Sequence, residues 1–494
     1  MSASEPNLTL VQRPWLLVAL ALAAYVLAFA CFYPTVLTIS DEAAYMRQAA
    51  AFAHGNTTIA QADGATGELR QVRPSDYPPG TSLLMAPLAK LGGWRAGFLL
   101  GPACCAGCVL LLAAMLRREG RSPLFALLFL AYPPVLVISR CGMSDLPAAL
   151  CVTASLYCFL RGDRAPWRLA AGLLGGATLL FRETAPLLLA FLFAGALLRR
   201  ERATWALLLG GLAGCALRLL AAQLVYGDAF FMKQSHPGFS LGALPQNAPL
   251  YAVALLVFVP GGLALAALYR GARRLELLLT LGAFTLLHLL YEYNAAASGG
   301  LKQWVLAPRF MIPLLPVLLL LMAEPLPRLW NAALARLGVA GRVSAWRAAR
   351  FGVLGLALAI CAEAAVVSYE HSRWQVGQRA IVNALYAGTD SHAPVVTNLE
   401  ATRKFINELN EEEYGPRLVE PFDGLTKERL AVMLARHGKV CVALLERRDS
   451  EYWREAGEQR QLRLREVAGA DVLESYSATF PGGERLLIYE ITSR

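Results

Sequence analysis

Apolar segments long enough to cross a bilayer alternate with short arginine-rich loops through the first 369 residues. The first of them reads LLVALALAAYVLAFACFYPTVL (16–37), and about 20 apolar residues suffice for a helix to span the hydrocarbon core. The chain is 56% hydrophobic and has a mean hydropathy of +0.45, which is more apolar sequence than a soluble core requires. This pattern predicts a polytopic α-helical membrane protein.

The arginine-rich loops predict the topology, because loops rich in Lys and Arg stay on the cytoplasmic side of a membrane. They indicate about 11 transmembrane helices, a cytoplasmic N-terminus and an extracytoplasmic C-terminus. The net charge of +10 therefore reflects topology and does not indicate a nucleic-acid partner. Residues 169–200 would be about 48 Å long as one straight helix, so we predict a hairpin with FRETAP (181–186) at its tip.

Residues 370–494 are charged and mostly free of long apolar runs. They predict a small α/β domain on the outer surface, following a transmembrane domain (1–369) that contains a long first outer loop (36–94). The expected strands are APVVTNL (393–399), KVCVALL (439–445) and RLLIYEI (485–491), and the expected amphipathic helices are 402–414 and 426–438.

Glycines four residues apart occur in two apolar stretches, GWRAGFLLG (93–101) and GLLGG (172–176). In a membrane helix this spacing predicts close packing against a neighbouring helix. The sequence contains no Walker loop and no glycine fingerprint between a strand and a helix, which argues against a nucleotide-binding domain.

Two adjacent carboxylates, Asp41 and Glu42, follow the first apolar segment where the chain would leave the bilayer. One interpretation is structural, with Thr38, Ser40 or Asp41 capping a helix that lies along the membrane surface. The other interpretation is catalytic, because ionisable groups at a membrane boundary usually serve a function. The spacing of these residues leaves both interpretations open.

A proline-rich turn, RPSDYPPG (73–80), precedes the second apolar segment. Two prolines fix φ and Gly80 permits a tight reversal, so this turn is expected to hold Tyr77 at a defined place. The alternative is a loop that simply closes into the next helix.

Other charged residues of the predicted outer loops lie within a residue or two of apolar segments. Arg182, beside Glu183 at the hairpin tip, is the best candidate for binding an anionic substrate, unless the two side chains only pair with each other. Arg309 either binds substrate or snorkels at a helix end. Asp145 either caps a helix or binds substrate, and Lys302 is a further candidate.

Metal binding is not indicated by the spacing of histidines and cysteines. His236, in KQSHPG, has no second histidine or cysteine at a useful distance in the sequence, and a lone loop histidine is seldom a ligand. We therefore expect that no cofactor is required.

The D-E-x-x-Y motif after the first membrane segment and Y-P-P-G before the next resemble the GT-C superfamily of integral-membrane glycosyltransferases. The resemblance is to the branch of protein O-mannosyltransferases, the lipid A aminoarabinose transferase and lipopolysaccharide galacturonosyltransferases. PRFMIPLLPVLLLL (308–321) is similar to that branch in its Arg-aromatic pair before a proline-containing helix. A C-terminal domain on the outer face is a further similarity.

The resemblance implies that Asp41 acts at the acceptor, as a base or an orienting carboxylate, with Glu42 beside it. It implies a polyprenyl-phosphate sugar as donor. Some members of this superfamily bind a divalent metal ion, which nothing in this sequence demands. The chain departs from aminoarabinose-transferase-like members at Tyr77, where those have a lysine able to hold a phosphate or an acidic sugar.

We therefore expect a glycosyltransferase that moves a sugar from a polyprenyl-phosphate carrier to a hydroxyl of a cell-envelope glycolipid, polysaccharide or protein. The reaction needs a carboxylate at the attacking oxygen and cations at the departing phosphate, so we predict that Asp41 faces Arg182 and Arg309. The expected location is a bacterial inner membrane. The alternatives are a transporter or lipid flippase, and a non-catalytic subunit of envelope assembly.

Overall fold

The computed structural model describes residues 14–63, 65–233, 238–293, 303–336, 343–399, 409, 418–447, 451–469, 472–481 and 483–493. The chain divides into two compact units, each built from several segments. Unit 1 comprises Met1–Tyr33, Tyr77–Leu84 and Phe98–Tyr369, and unit 2 comprises Pro34–Asp76, Met85–Gly97 and Glu370–Arg494.

Helices account for most of the described residues. In chain order they are α1 (Pro14–Cys31), α2 (Ser40–Ala53), α3 (Gly80–Gly92), α4 (Leu100–Arg118), α5 (Pro133–Ile138), α6 (Asp145–Arg161), α7 (Ala165–Ala177), α8 (Leu187–Leu198), α9 (Thr204–Tyr226), α10 (Leu244–Leu256), α11 (Gly262–Ala267), α12 (Arg274–Leu289), α13 (Gln303–Leu306), α14 (Leu315–Met322), α15 (Pro325–Arg336), α16 (Val343–Ala387), α17 (Lys427–His437) and α18 (Glu451–Ala468). The strands are β1 (Ile59–Ala62), β2 (Leu69–Val72), β3 (Val395–Thr397), β4 (Val419–Pro421), β5 (Lys439–Glu446), β6 (Leu473–Thr479) and β7 (Arg485–Thr492).

Several helices of the described ranges are long and apolar enough to cross a bilayer, which agrees with a polytopic membrane protein. They are Pro14–Cys31, Trp94–Arg118, Thr204–Tyr226 and Gln303–Leu329, and α8 is a shorter apolar helix. The figure of about 11 spans stays a prediction. The predicted break within 169–200 is confirmed, because α7 ends at Ala177 and α8 begins at Leu187.

Small residues allow α7 and α9 to pack with their backbones in contact, as the spacing in GLLGG predicts. A methyl group added to Gly176 would lie 2.8 Å from the amide nitrogen of Cys215. One added to Gly214, on the other helix, would lie 2.7 Å from the amide nitrogen of Ala177. Only glycine fits at these positions, and the crossing holds α7 and α9 of unit 1 together.

The helices of unit 1 converge on a short 3₁₀ segment, Pro308–Leu314, which lies in the PRFMIPLLPVLLLL motif. Every residue of the segment is buried, and it packs on α5, α6, α10 and α12. Pro308 and Pro313 lack a backbone N–H and so do not support a regular α-helix here. The hydroxyl of Tyr132 donates to the carbonyl oxygen of Pro308 at 2.8 Å, which fixes the start of the segment.

Unit 2 contains a five-stranded mixed sheet with the order β4-β3-β5-β7-β6. The central strand β5 is buried on both faces, and its side chains alternate between them. Val440, Val442 and Leu444 pack with α17 and α18, whereas Cys441, Ala443 and Leu445 pack with the last turns of α16. The result is a three-layer α/β/α arrangement.

The elements predicted for the C-terminal residues are confirmed where the structure describes them. β3, β5 and β7 coincide with the three expected strands, and α17 coincides with the helix expected over 426–438. The helix expected over 402–414 lies outside the described residues.

Most of the segment predicted to form the first outer loop (36–94) belongs to unit 2. Its hairpin of β1 and β2 is closed by Asp63, whose carboxylate accepts hydrogen bonds from the amides of Thr66 and Ala65 at 2.9 and 3.0 Å. Arg429, at the start of α17, approaches the other carboxylate oxygen at 3.5 Å. These contacts, the Thr66 amide first, hold the pKa of Asp63 below its usual value.

We expect Gly176→Val to lower the free energy of unfolding by about 1–3 kcal/mol, because the added side chain would force α7 and α9 apart. Gly211→Ala is the matched control, since a methyl group at Gly211 meets nothing within 4 Å. Thermal unfolding of the purified protein in detergent measures both variants. Equal melting temperatures for Gly176→Val and the wild type would contradict the packing described here.

We expect Asp63→Asn to lower the free energy of unfolding by about 1 kcal/mol at pH 7. A carboxyl group with a depressed pKa contributes stability above its unfolded pKa and loses it as the pH falls through the folded pKa. The difference from wild type should therefore shrink between pH 7 and pH 3 in thermal unfolding. The control is Glu68→Gln, on the exposed side of the same hairpin, and a pH-independent difference would refute this assignment.

Candidate active site

Two arginines of unit 1 lie against the same aromatic ring. The guanidinium carbon of Arg182 is 4.9 Å from the centroid of Phe310, and that of Arg309 is 5.1 Å from it. Cation–π attraction to the ring holds both side chains there and keeps their guanidinium carbons within about 10 Å of each other. The two cations that the sequence proposed for a phosphate group are thus brought together.

Three further rings surround Phe310. His288 stacks on it with centroids 5.6 Å apart, while Tyr293 and Tyr291 meet it edge-on at 5.1 and 5.7 Å. We call Arg182, Arg309, Phe310, His288, Tyr291 and Tyr293 the arginine–aromatic cluster. Sequence reasoning missed its aromatic members, although Tyr291 and Tyr293, just after α12, lie at the start of the predicted loop that leads to the PRF motif.

Asp145 forms an ion pair with Arg182. The carboxylate is buried at the first position of α6, whereas the N-cap is Ser144, without a side-chain cap hydrogen bond. The helix dipole of α6 therefore stabilises the Asp145 carboxylate, which also neutralises the charge of Arg182. Within the described residues no donor reaches its second oxygen, Oδ2, which is buried as well and can accept a hydrogen bond from a ligand hydroxyl.

The remaining candidates of this region differ in their surroundings. Arg309 is 5% exposed, so it is enclosed by protein and does not snorkel toward a membrane surface. Glu183 is half-buried in the turn that carries Arg182. Lys302 lies outside the described residues, as does His236.

Tyr77 meets a lysine that sequence reasoning did not select. Lys233 donates a hydrogen bond from Nζ to the Tyr77 hydroxyl at 2.7 Å, and the ammonium lies 3.9 Å from the ring centroid. Tyr226 donates from its hydroxyl to the carbonyl oxygen of Tyr77. The positive charge that Tyr77 itself lacks is therefore supplied from a residue 156 positions later in the chain.

A buried arginine orders the segment that carries Lys233. Arg218, on α9, is 7% exposed and donates to the carbonyl oxygen of Phe231 at 2.8 Å. The Phe231 ring stacks on Tyr226 with centroids 4.2 Å apart. Lys233 is thus held beside Tyr77 through the C-terminal end of α9.

Gly80 joins the Tyr77 turn to the Arg182 turn. The expectation of a tight reversal at Gly80 is wrong, because Gly80 begins α3 and is not among the residues with positive φ. Its lack of a side chain serves close approach instead, since a methyl group there would lie 2.8 Å from Cβ of Leu180. Leu180 comes two residues before Arg182, so this contact places both turns at the same end of unit 1.

The acid pair lies in unit 2, at the start of α2. Glu42 is completely buried, and its Oε2 accepts a hydrogen bond from the amide of Thr38 at 2.9 Å. Asp41 is partly exposed and accepts from the hydroxyl of Ser40 at 3.4 Å. The N-cap is Ile39, without a side-chain cap hydrogen bond, so the capping interpretation of Thr38, Ser40 and Asp41 does not hold.

No group of three or more His, Cys, Asp or Glu side chains in the described ranges has the geometry of a metal site.

Comparison with solved structures shows that the fold of this chain is similar to that of ArnT, which agrees with the resemblance that the motifs predict. The chain is similar to the apo crystal structure of ArnT from Cupriavidus metallidurans, with a TM-score of 0.63 and 16% identity over 96% of this chain and 97% of that one. It is also similar to the same ArnT bound to undecaprenyl phosphate, with a TM-score of 0.58 and 16% identity over 97% and 98%. No family model matches the chain, and no curated protein matches it by sequence.

We expect Asp145→Asn to destabilise the protein by about 1–3 kcal/mol, because it leaves the partly buried Arg182 guanidinium without the buried carboxylate that balances its charge. The double variant Asp145→Asn/Arg182→Gln should recover most of that loss, since neither side chain is then charged. Thermal unfolding in detergent measures both. If the double variant is no more stable than the single one, the pair does not balance charge as described.

Proposed function

We propose that this protein is a membrane glycosyltransferase that takes a sugar from a polyprenyl-phosphate donor and transfers it to a hydroxyl of a cell-envelope molecule. The observation that carries the proposal is the placement of Arg182 and Arg309 on one ring, in a chain with the fold of ArnT. The undecaprenyl phosphate bound to one of the similar structures supports a lipid carrier of this class.

The arginine–aromatic cluster suits the phosphate of the donor. Breaking the bond between the anomeric carbon and the phosphate oxygen leaves negative charge on the departing lipid phosphate. Guanidinium groups stabilise that charge through paired N–H donors, and low exposure to water strengthens the interaction. Arg182 keeps donors for this purpose because its ion pair with Asp145 uses only Nη1.

Sugar hydroxyls find acceptors and stacking surfaces in the same part of unit 1. The buried Oδ2 of Asp145 can accept from a hydroxyl, and the rings of Tyr293 and Phe310 offer apolar faces. Tyr77 with Lys233 adds a cation beside a phenol, which suits either the phosphate or an acidic group on the sugar. Glu183 and Lys302 complete the set of binding residues that we propose.

Asp41 is the proposed base, with Glu42 beside it. The acceptor hydroxyl attacks the anomeric carbon as its proton passes to Asp41, and the polyprenyl phosphate leaves in the same step, which inverts the anomeric centre. The partly exposed position of Asp41 leaves its carboxylate accessible to an acceptor. The buried Glu42 instead anchors the start of α2.

We infer that the reaction takes place on the outer face of a bacterial inner membrane. The arginine-rich loops favour a cytoplasmic N-terminus, about 11 spans over residues 1–369 and an extracytoplasmic domain over 370–494. The acceptor is a glycolipid, a polysaccharide or a protein, and the sugar is a hexose or a pentose.

Asp41→Asn should reduce transfer at least 100-fold, because the amide cannot take the acceptor proton. A strain lacking the protein is complemented with wild type, Asp41→Asn or the control Glu68→Gln, which changes an exposed acid of the same loop. Mass spectrometry of the envelope glycolipids then measures the species heavier by one sugar residue. Unchanged modification with Asp41→Asn would reject this mechanism. If wild-type protein instead left the mass of the glycolipids unchanged and altered only the leaflet in which they lie, a flippase would be favoured.

The double variant Asp145→Asn/Arg182→Gln separates binding from folding. We expect it to be nearly as stable as wild type but inactive, and to bind undecaprenyl phosphate at least 10-fold more weakly in native mass spectrometry. Wild-type binding by a stable double variant would leave Arg182 with only a structural role.

A further inference from the structure

Within unit 2, the last turns of α16 hold the strip of chain that leads into the acid pair. This strip comprises residues 35–38, and α2 with Asp41 begins two residues later. The contacts come from a helix more than 330 positions away in the sequence. We call the contacts made by His371 and Gln375 the α16 latch.

Gln375 binds the backbone of the strip with both ends of its amide. Its Nε2 donates to the carbonyl oxygen of Val36 at 2.9 Å, and its Oε1 accepts from the amide of Thr35 at 3.4 Å. Gln375 is 1% exposed, so these hydrogen bonds are shielded from competing water. A side chain that satisfies both groups of a loop backbone fixes the path of that loop.

His371 extends the latch to Thr38. Its Nε2 lies 2.8 Å from the Thr38 hydroxyl, and its ring stacks against Trp374 with an interplanar angle of 10°. The amide of Thr38 donates to Oε2 of Glu42 at 2.9 Å. Thr38 is thus bonded to α16 through its hydroxyl and to the carboxylate of Glu42, beside Asp41, through its amide.

Apolar packing continues the contact along α16. Val36 forms a buried cluster with Val382 and Tyr386, two and three turns beyond Gln375. The strip is therefore held by hydrogen bonds at both of its ends and by a packed side chain between them.

We propose that His371 and Gln375 are positioning residues for the catalytic Asp41, acting through Thr38 and Glu42 at the start of α2. This inference rests on the proposed function of Asp41. A general base must lie within hydrogen-bond reach of the acceptor hydroxyl, and a displacement of about 1 Å is enough to cost up to 100-fold in rate. The α16 latch gives the C-terminal residues a role in catalysis, because His371 and Gln375 on α16 fix the position of residues 35–38, which lead to Asp41.

Two variants remove the link between His371 and Thr38 with little change in shape, and Thr38→Val also removes the hydroxyl that accepts from Nε2 of Gln375 at 3.4 Å. Thr38→Val replaces the hydroxyl by a methyl group, and His371→Phe keeps a ring against Trp374. The matched controls are Thr58→Val and His54→Phe, whose side chains make exposed hydrogen bonds elsewhere in unit 2. Thr38→Ser, which restores the hydroxyl, is the conservative rescue.

We expect each single variant to lower the rate of glycolipid modification in membranes about 10-fold, and the double variant to be no slower than Thr38→Val, which already removes the shared hydroxyl. Binding of undecaprenyl phosphate should be unchanged, and Thr38→Ser should have the wild-type rate. In hydrogen exchange of the purified full-length protein, the amides of residues 35–42 should exchange faster, with little change elsewhere.

The possible results distinguish this inference from the proposed function. If Asp41→Asn abolishes modification while Thr38→Val and His371→Phe keep the wild-type rate, the latch does not position the acids. Independent, multiplicative losses in the double variant, or unchanged exchange of residues 35–42, would overturn it as well. If Asp41→Asn keeps full activity, the proposed function falls, whereas the exchange experiment still tests the restraint itself.

Discussion

The ion pair between Arg182 and Asp145, held against Phe310, is the interaction on which the arrangement of unit 1 depends. A charge buried in a membrane protein is tolerated only with a partner, so the turn after α7 and the start of α6 must meet. Phe310 belongs to the segment on which the other helices converge. One buried charge and one ring therefore bring three distant parts of the sequence to a single place.

Close backbone contact makes this convergence attainable. Glycines in α7 and α9 let these helices pack without intervening side chains, and Gly80 lets the Tyr77 turn approach Leu180. Prolines in the Pro308–Leu314 segment prevent a regular α-helix and so turn its side chains toward several neighbours. Burying the polar residues costs free energy unless they are paired. The small residues and prolines allow the close backbone approach in which these pairs form.

Local patterns in the sequence predicted a large part of this structure. The apolar segments, the break before α8, the glycine crossing and three C-terminal strands could be predicted because each depends on composition or period over a few residues. Arg182 and Arg309 could be selected because charge beside an apolar segment is rare. Three other features could not be predicted, since each joins residues far apart in the chain. They are the pairing of Arg182 with Asp145, the lysine beside Tyr77 and the contact of Gly80 with Leu180. Asp41 belongs to unit 2 and both arginines to unit 1, so the predicted approach of these residues stays a prediction.

The sequence by itself determined that this is a membrane protein with an acid pair after its first apolar segment and arginines beside later ones, and its motifs predicted the resemblance to the GT-C superfamily. Hydropathy and short motifs carry that information because they depend on neighbouring residues alone. Only the tertiary structure decided which distant side chains meet. Lys233 reaches Tyr77 across 156 positions and His371 reaches Thr38 across 333, and such contacts exist only once folding has brought the segments together.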